Sequence, residues 1–272
     1  MELYNKKSLG QNFLKSKGAV HEIVMAGRIT SNDTILEIGP GKGILTEQLL
    51  QTGAKVIAIE KGDRLIGFLQ EKFAEYIKKD KFELIHADIL DFSPSSNKLT
   101  PNSYKLIANI PYYITGEVIR QFLTNTAQPQ LMVLMVQKEV AQRICTKDGK
   151  ESILSISVKA YGNPKYIGTI KAKFFSPIPK VDSAILLIDD ISKNFFDKID
   201  TAKGGIDEKR FFDVIKAGFA HKRKFVINNL EAISEKQKIT AIFNKLSIPL
   251  TARAETVILA QWKEIILNIL ST

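Results

Sequence analysis

The chain has 272 residues, carries 39 Lys and Arg against 29 Asp and Glu for a formal charge of +10, and is 44% apolar and 25% charged. Such a length suits two domains and such a composition a globular protein, which excludes a disordered or fibrous chain, while the charge points to a polyanionic partner. The longest strongly apolar run, Leu131 to Val136, has six residues, too few to cross a bilayer, and the single cysteine, Cys145, excludes an internal disulfide framework.

In chain order, the N-terminal stretch MELYNKKSLGQNFLKS is basic but has no apolar signal region, so it is read as part of the working protein. From Thr34 to Asp189 short apolar runs alternate with helical periodicity. The runs are Thr34–Ile38, Val56–Ile59, Phe82–Ile85, Leu106–Ala108, Leu131–Val136, Thr169–Phe175 and Ala184–Ile188. Helical spacing between the first five, as at Ile44, Leu45, Leu49 and Leu50, predicts right-handed crossovers and a mainly parallel sheet covered on both faces. Only the loop Ser176-Pro-Ile-Pro-Lys180 separates the last two runs, which predicts an antiparallel hairpin. Residues 191–205 are polar, end in Gly204-Gly205 and read as a linker. Residues 206–272 carry helical periodicity alone, at Phe211, Phe212, Ile215 and Phe219 and again at Ile239, Ile242, Phe243 and Leu246. The expected organisation is therefore an α/β domain over 1–190, a linker and a small all-α domain.

Chemistry concentrates at strand ends. After Ile38 come Gly39, Gly41 and Gly43 at alternate positions, and a helix opens at once, so backbone can approach a ligand and unpaired helix N–H groups can face its anionic part. Ile44 stands where a dinucleotide-binding loop places its third glycine, which disfavours nicotinamide chemistry. The second strand ends at Glu60, 21 residues past Gly39, an offset suited to accepting from ribose hydroxyls. The third ends at Asp88, which could accept from an adenine amino group. Together these describe a pocket for an adenosine with a short charged tail; taken singly, either acid could be a helix cap. The fourth strand ends in Ala108-Asn-Ile-Pro-Tyr-Tyr113. Pro111 keeps Ile110 extended, so Asn109, the Ile110 carbonyl and an aromatic face form a receptor for a planar amine.

These residues in this order resemble S-adenosylmethionine-dependent amino methyltransferases. With Lys7-Ser-Leu-Gly-Gln-Asn-Phe-Leu14 and Phe175-Ser-Pro-Ile-Pro-Lys-Val-Asp-Ser183 the resemblance narrows to the small-subunit ribosomal RNA adenine dimethyltransferases, over about Lys6 to Leu267. It implies a Rossmann-like class I methyltransferase sheet, mostly parallel with a C-terminal antiparallel hairpin. It also implies dimethylation of two adjacent adenines near the 3′ end of that RNA during small-subunit biogenesis. By the same resemblance Asn12, Leu14, Gly39, Gly41, Glu60, Asp88 and Asn109 would contact the cofactor. Asn109, Ile110, Pro111 and Tyr112 would form the catalytic turn. Tyr112 would stack on an everted adenine, with Phe174 or Phe175 on its other face.

Basic residues group at Lys6, Lys7, Lys15 and Lys17, at five lysines and no acid between Ser152 and Val181, and at His221-Lys-Arg-Lys224. Lys180, Arg223 and Lys224 are the expected phosphate contacts, although His221-Lys222 departs from the arginines usual in the family. The expected partner is small-subunit ribosomal RNA in a pre-assembled subunit, met by a cytoplasmic monomer without membrane or metal; His21, His86 and His221 are too scattered for metal ligation. Cys145, Trp262, Asp182 and His86 are expected to be structural. Two other readings stay open. One is the sister group that methylates a large-subunit adenine, which shares the Asn109 turn. The other is a non-catalytic RNA-binding factor on the same fold.

Overall fold

The computed structural model describes residues 12–146, 150–197 and 208–270, and the statements below concern these. They form two compact units. One holds the described residues up to Ala141 with Asn163–Ile191; the other holds Gln142–Gly162 with the described residues from Ser192 onward. The first unit contains β1 (Phe13–Leu14), α1 (Lys17–Ala26), β2 (Thr34–Ile38), α2 (Ile44–Gln51), β3 (Lys55–Glu60), α3 (Asp63–Lys72), α4 (Ala74–Lys78), β4 (Phe82–His86), β5 (Lys105–Asn109), α5 (Thr115–Thr124), β6 (Met132–Gln137), the start of α6 (Lys138–Ile144), β7 (Asn163–Ile170), β8 (Phe175–Ser176) and β9 (Ser183–Asp189).

Seven strands form one sheet in the order β4-β3-β2-β5-β6-β9-β7. The pairings from β4 to β6 are parallel, and β9 runs antiparallel to both β6 and β7. Leu36, Ala58, Leu106 and Val133 are all fully buried, as strands covered on both faces require. Strand order reverses at β2, which has β3 on one side and β5 on the other. The crevice beyond the carboxyl ends there is where open α/β sheets take ligands.

The expected strand Thr169–Phe175 needs correction. The strand is Asn163–Ile170, and Ala172–Phe174 leaves the sheet in a 3-10 turn. Phe175–Ser176 then pairs with Phe13–Leu14 as a separate two-stranded sheet. The antiparallel β7–β9 hairpin stands, with a register shift between Tyr166 and Gly168.

The second unit is helical: α7 (Ile153–Tyr161), α8 (Asn194–Asp197), α9 (Glu208–Gly218), α10 (Val226–Leu230), α11 (Lys236–Lys245) and α12 (Leu259–Leu270). The sequence pattern kept 142–162 in the first domain. The structure groups it with the C-terminal helices because α7 packs on α8 and α12. Tyr161 of α7 lies 5.1 Å from the ring of Phe196 and stacks on Phe212 at 6.1 Å. Trp262 is fully buried and lies so close to Gly218 that a Cβ there would sit 2.2 Å from the indole. Of the expected linker over 191–205, residues 198–205 lie outside the described residues.

Candidate active site

β2 ends at Ile38, and the next residues turn back through Gly39, Gly41 and Gly43, with φ of +64°, +59° and +74°. All three are in the left-handed region, where a side chain is strained. Their surroundings differ. A Cβ on Gly43 would meet the Phe73 ring at 2.7 Å, one on Gly41 would meet the Phe13 ring at 2.9 Å, and one on Gly39 would meet nothing within 4 Å. Gly43 thus lets the loop pack on the core, Gly41 lets Phe13 lie over it, and Gly39 borders open space. That space is a cavity lined by Asn12, Gly39, Glu60, Asp88, Asn109 and Tyr112 among others.

Glu60 closes β3 and is 5% exposed. Its Oε1 accepts from the Gly62 N–H at 2.7 Å and its Oε2 from the Gly41 N–H at 3.2 Å, so it ties the glycine loop to the neighbouring strand end. Burial pushes this carboxyl up, against the pull of those N–H donors. With the Lys61 backbone N–H as a third donor, the carboxylate's roughly four lone-pair sites are not filled, and it keeps acceptor capacity for a ligand hydroxyl. Asp88 caps the 3-10 turn Ile89–Asp91: Oδ1 accepts from the Leu90 N–H at 3.1 Å, and Oδ2 accepts from Lys61 Nζ at 2.5 Å. The Lys61 ammonium and the Leu90 N–H hold this carboxyl below its usual range. The capping and pocket-lining readings of Asp88 are both true.

Asn109 ends β5. Its Nδ2 donates to the Asn12 carbonyl at 3.4 Å, which ties the amide to the segment before β1. Ile110 is 1% exposed and anchors the turn, and Tyr112–Ile114 follows as a 3-10 turn. The Tyr112 hydroxyl shares a 2.7 Å hydrogen bond with Ser183 Oγ at the start of β9, and burial raises its pKa. The phenol is thereby fixed at one edge while its ring borders the cavity.

Other expected site residues are placed differently. The Leu14 side chain is in the core, 5% exposed, and the side of the cavity nearest it is lined by Asn12 and Phe13. Phe175 is likewise in the core at 1% exposed, and a ring packed there has no face to offer a base. Of the pair only Phe174 is exposed, with Lys173 Nζ 5.5 Å from its ring centroid. Lys180 is exposed on the β7–β9 connection. Arg223 and Lys224 are exposed in the second unit, on a loop that Asn229 Nδ2 holds through the carbonyls of Gly218 at 2.7 Å and His221 at 3.2 Å. The lysine run is not a free positive face: Lys159, Lys165 and Lys171 pair with Glu151, Asp189 and Asp182. Lys6, Lys7 and the motif up to Gln11 lie outside the described residues. His86 is paired with Asp63, and burial pushes the Cys145 thiol up to about 11, which keeps it unreactive near neutrality. Among the described residues no cluster of His, Cys, Asp or Glu could hold a metal ion.

Sequence reasoning missed Phe13, Lys61, Ser183 and Glu37. The last is 1% exposed in β2 with Oε2 unbonded, and burial pushes its carboxyl up to about 8. An acid inside the apolar run Thr34–Ile38 was the signal available for it.

A profile of the family described as "Ribosomal RNA adenine dimethylase" matches residues 3–270. A protein of Dehalococcoides mccartyi named ribosomal RNA small subunit methyltransferase A is 41% identical over 95% of this chain and 86% of its own. One of the same name from Fusobacterium nucleatum is 39% identical over 98% of both. Among solved structures, a dimethyladenosine transferase from Plasmodium falciparum superposes with a TM-score of 0.76 at 25% identity, covering 93% of this chain and 95% of its own.

Proposed function

The chain belongs to the ribosomal RNA adenine dimethylase family, and from that premise we propose that it uses S-adenosylmethionine to dimethylate the exocyclic amino groups of two adjacent adenines near the 3′ end of small-subunit ribosomal RNA. The observation that carries this reading is that Gly39, Glu60, Asp88 and Asn109, from four strand ends, line one cavity where the sheet order reverses. The cofactor fits these residues. Gly39 leaves open space for the methionine end, Glu60 has lone pairs for the ribose, and Asp88 can accept from the adenine amino group. When bound, S-adenosylmethionine supplies a methyl group on a positively charged sulfur.

The protein's part is to position an amine whose lone pair is delocalised into its ring. With Nδ2 of Asn109 held by the Asn12 carbonyl, Oδ1 is what the amide has left to offer a substrate N–H. Acceptance by Oδ1 and by the Ile110 carbonyl lets the nitrogen pyramidalise and aim its lone pair. Orientation of this kind lowers barriers by up to about 7–11 kcal/mol without a strong base. Tyr112, clipped to Ser183, offers a ring for the everted adenine, and Phe174 is the remaining aromatic candidate for its other face. A second turnover needs one N–H only, so the same acceptors serve a monomethylated amine.

Lys180, Arg223 and Lys224 would neutralise RNA phosphates. The substrate in this reading is a pre-assembled small subunit, and the enzyme is a cytoplasmic, metal-free monomer. No helix among the described residues is long and apolar enough to cross a membrane. The test offers labelled methyl donor with undermethylated small subunits, large-subunit RNA and a random RNA, using Asn109→Ala as control. Labelling of small subunits alone, nearly lost in the variant, is expected. Equal labelling of large-subunit RNA would favour the sister activity, and no transfer at all a binding factor.

A further inference from the structure

Lys61 follows the ribose-binding acid, lines the same cavity and has a side chain that is 59% exposed. Its ammonium is nevertheless tied to a neighbouring strand end. It crosses from the end of β3 to the end of β4 and binds Asp88 Oδ2 at 2.5 Å, while Leu90 N–H occupies Oδ1. Each oxygen of the adenine-reading carboxylate thus already holds one donor, and the one on Oδ2 is a full positive charge. We propose that Lys61 is a specificity-determining residue of the cofactor site: its ammonium competes with the adenine amino group for the Asp88 carboxylate, so the cofactor binds against a donor already seated there. The inference rests on the placement of the adenine at Asp88 given above.

The physics sets direction and size. A neutral amino donor meets a carboxylate whose charge an ammonium already satisfies, so the lysine opposes binding, but the pair is partly exposed and correspondingly weak. Its removal should tighten adenine binding by about fivefold at most. Salt screens the ion pair more than it screens a hydrogen bond to a net-neutral ligand, so salt should help the wild type and not a variant lacking the ammonium. A hypoxanthine ring presents a carbonyl oxygen where adenine has its amino group. Asp88 repels that oxygen and Lys61 can donate to it, so the lysine also blunts base discrimination.

The test is calorimetric binding of S-adenosylhomocysteine and its inosine counterpart to wild type, Lys61→Met and Asp88→Asn, at low and high sodium chloride. Lys61→Met keeps the apolar stem, and the position is exposed enough for the fold to be indifferent. Tighter adenosyl binding by about three- to fivefold, weaker inosyl binding and loss of the salt dependence are expected. Unchanged or weakened adenosyl binding in Lys61→Met, with Asp88→Asn still impaired, would overturn the competition and leave the proposed function standing. Unchanged binding in Asp88→Asn would overturn the adenine placement itself.

Discussion

Gly43→Ala and Gly39→Ala differ by four positions in the chain yet should fail in opposite ways. At Gly43 an alanine would sit at φ +74° with its Cβ 2.7 Å from Phe73 Cε2 and 2.8 Å from Cζ. Phe73 cannot retreat: it is 2% exposed, and its ring centroid lies 5.1 Å from that of Phe82 and 6.5 Å from that of Tyr76. Left-handed strain costs about 1–2 kcal/mol and overpacking about 1–3, less about 0.4–1 regained because the unfolded chain is stiffer. The net is about 1–5 kcal/mol, or at least roughly 2–10 °C in melting temperature. At Gly39 the strain is similar but nothing lies within 4 Å, so only about 1 kcal/mol is lost. Its methyl group, however, enters the space proposed for the methionine end and should weaken S-adenosylhomocysteine binding by about tenfold or more. Melting followed by circular dichroism, with calorimetric binding well below the transition, separates the two. Gly43→Ala should be unstable and binding-competent, Gly39→Ala stable and binding-deficient. Equal effects on both measurements, or the reverse pattern, would refute the assignment of one glycine to the core and the other to the cavity.

Glu37→Gln should alter the pH dependence of folding. Burial raises the carboxyl from 4.5 to about 8, so across that window the unfolded chain releases a proton that the folded chain keeps, and stability falls as pH rises. Urea titrations at pH 5 and pH 8 should show that decline in the wild type and a flatter profile in the variant. Tyr112→Phe removes the partner of Ser183, which is fully buried, and should cost about 1–2 kcal/mol while keeping methyl transfer within about tenfold; Tyr112→Ala should nearly abolish transfer. Gly218→Ala drives a Cβ to 2.2 Å from Trp262, the chain's single tryptophan, so its fluorescence should report loosening of the helical unit by about 3 kcal/mol. Arg223→Ala with Lys224→Ala should weaken subunit binding and lower its salt slope by about 1–2, leaving S-adenosylhomocysteine affinity unchanged.

The parallel strands were legible because burial on both faces writes itself as an uninterrupted apolar run. Thr34–Ile38 is found with the same bounds, and Val56–Ile59, Phe82–Ile85 and Leu106–Ala108 each lie within one residue of the strand. β7 was misplaced because it lies on an edge, where Lys165 and Ile167 face outward, and because Pro164 and Gly168 imitate turn signals inside a strand that tolerates them there. Glu60, Asp88 and Asn109 could be singled out because each stands where a strand run stops. Ser183 could not, since it meets Tyr112 from 71 positions away, and Lys61 could not, since its significance is the carboxylate it reaches across two strand ends. That the Leu14 and Phe175 side chains lie in the core could not be read either, since it follows from their pairing with each other across β1 and β8, 161 positions apart.

The same division bears on how the enzyme selects its substrate. On the proposed reading, the cavity of the first unit, walled by a glycine loop, two acids and an Asn-Ile-Pro-Tyr turn, would read a single purine and nothing of its neighbours. An adenine looks the same to Asn109 and Tyr112 in any RNA. Discrimination among the many adenines of a ribosome would then rest with groups that touch other nucleotides, for which the proposed reading offers solvent-facing basic side chains. Lys180 leaves the sheet on the β7–β9 connection, while Arg223 and Lys224 stand on a loop that a buried asparagine pins at two carbonyls. That asparagine satisfies the last carbonyl of α9, and a loop so pre-ordered gains affinity where it matches fixed phosphate positions. On this argument Asn229→Ala, which frees the loop without removing a charge, should weaken subunit recognition while transfer to saturating substrate persists.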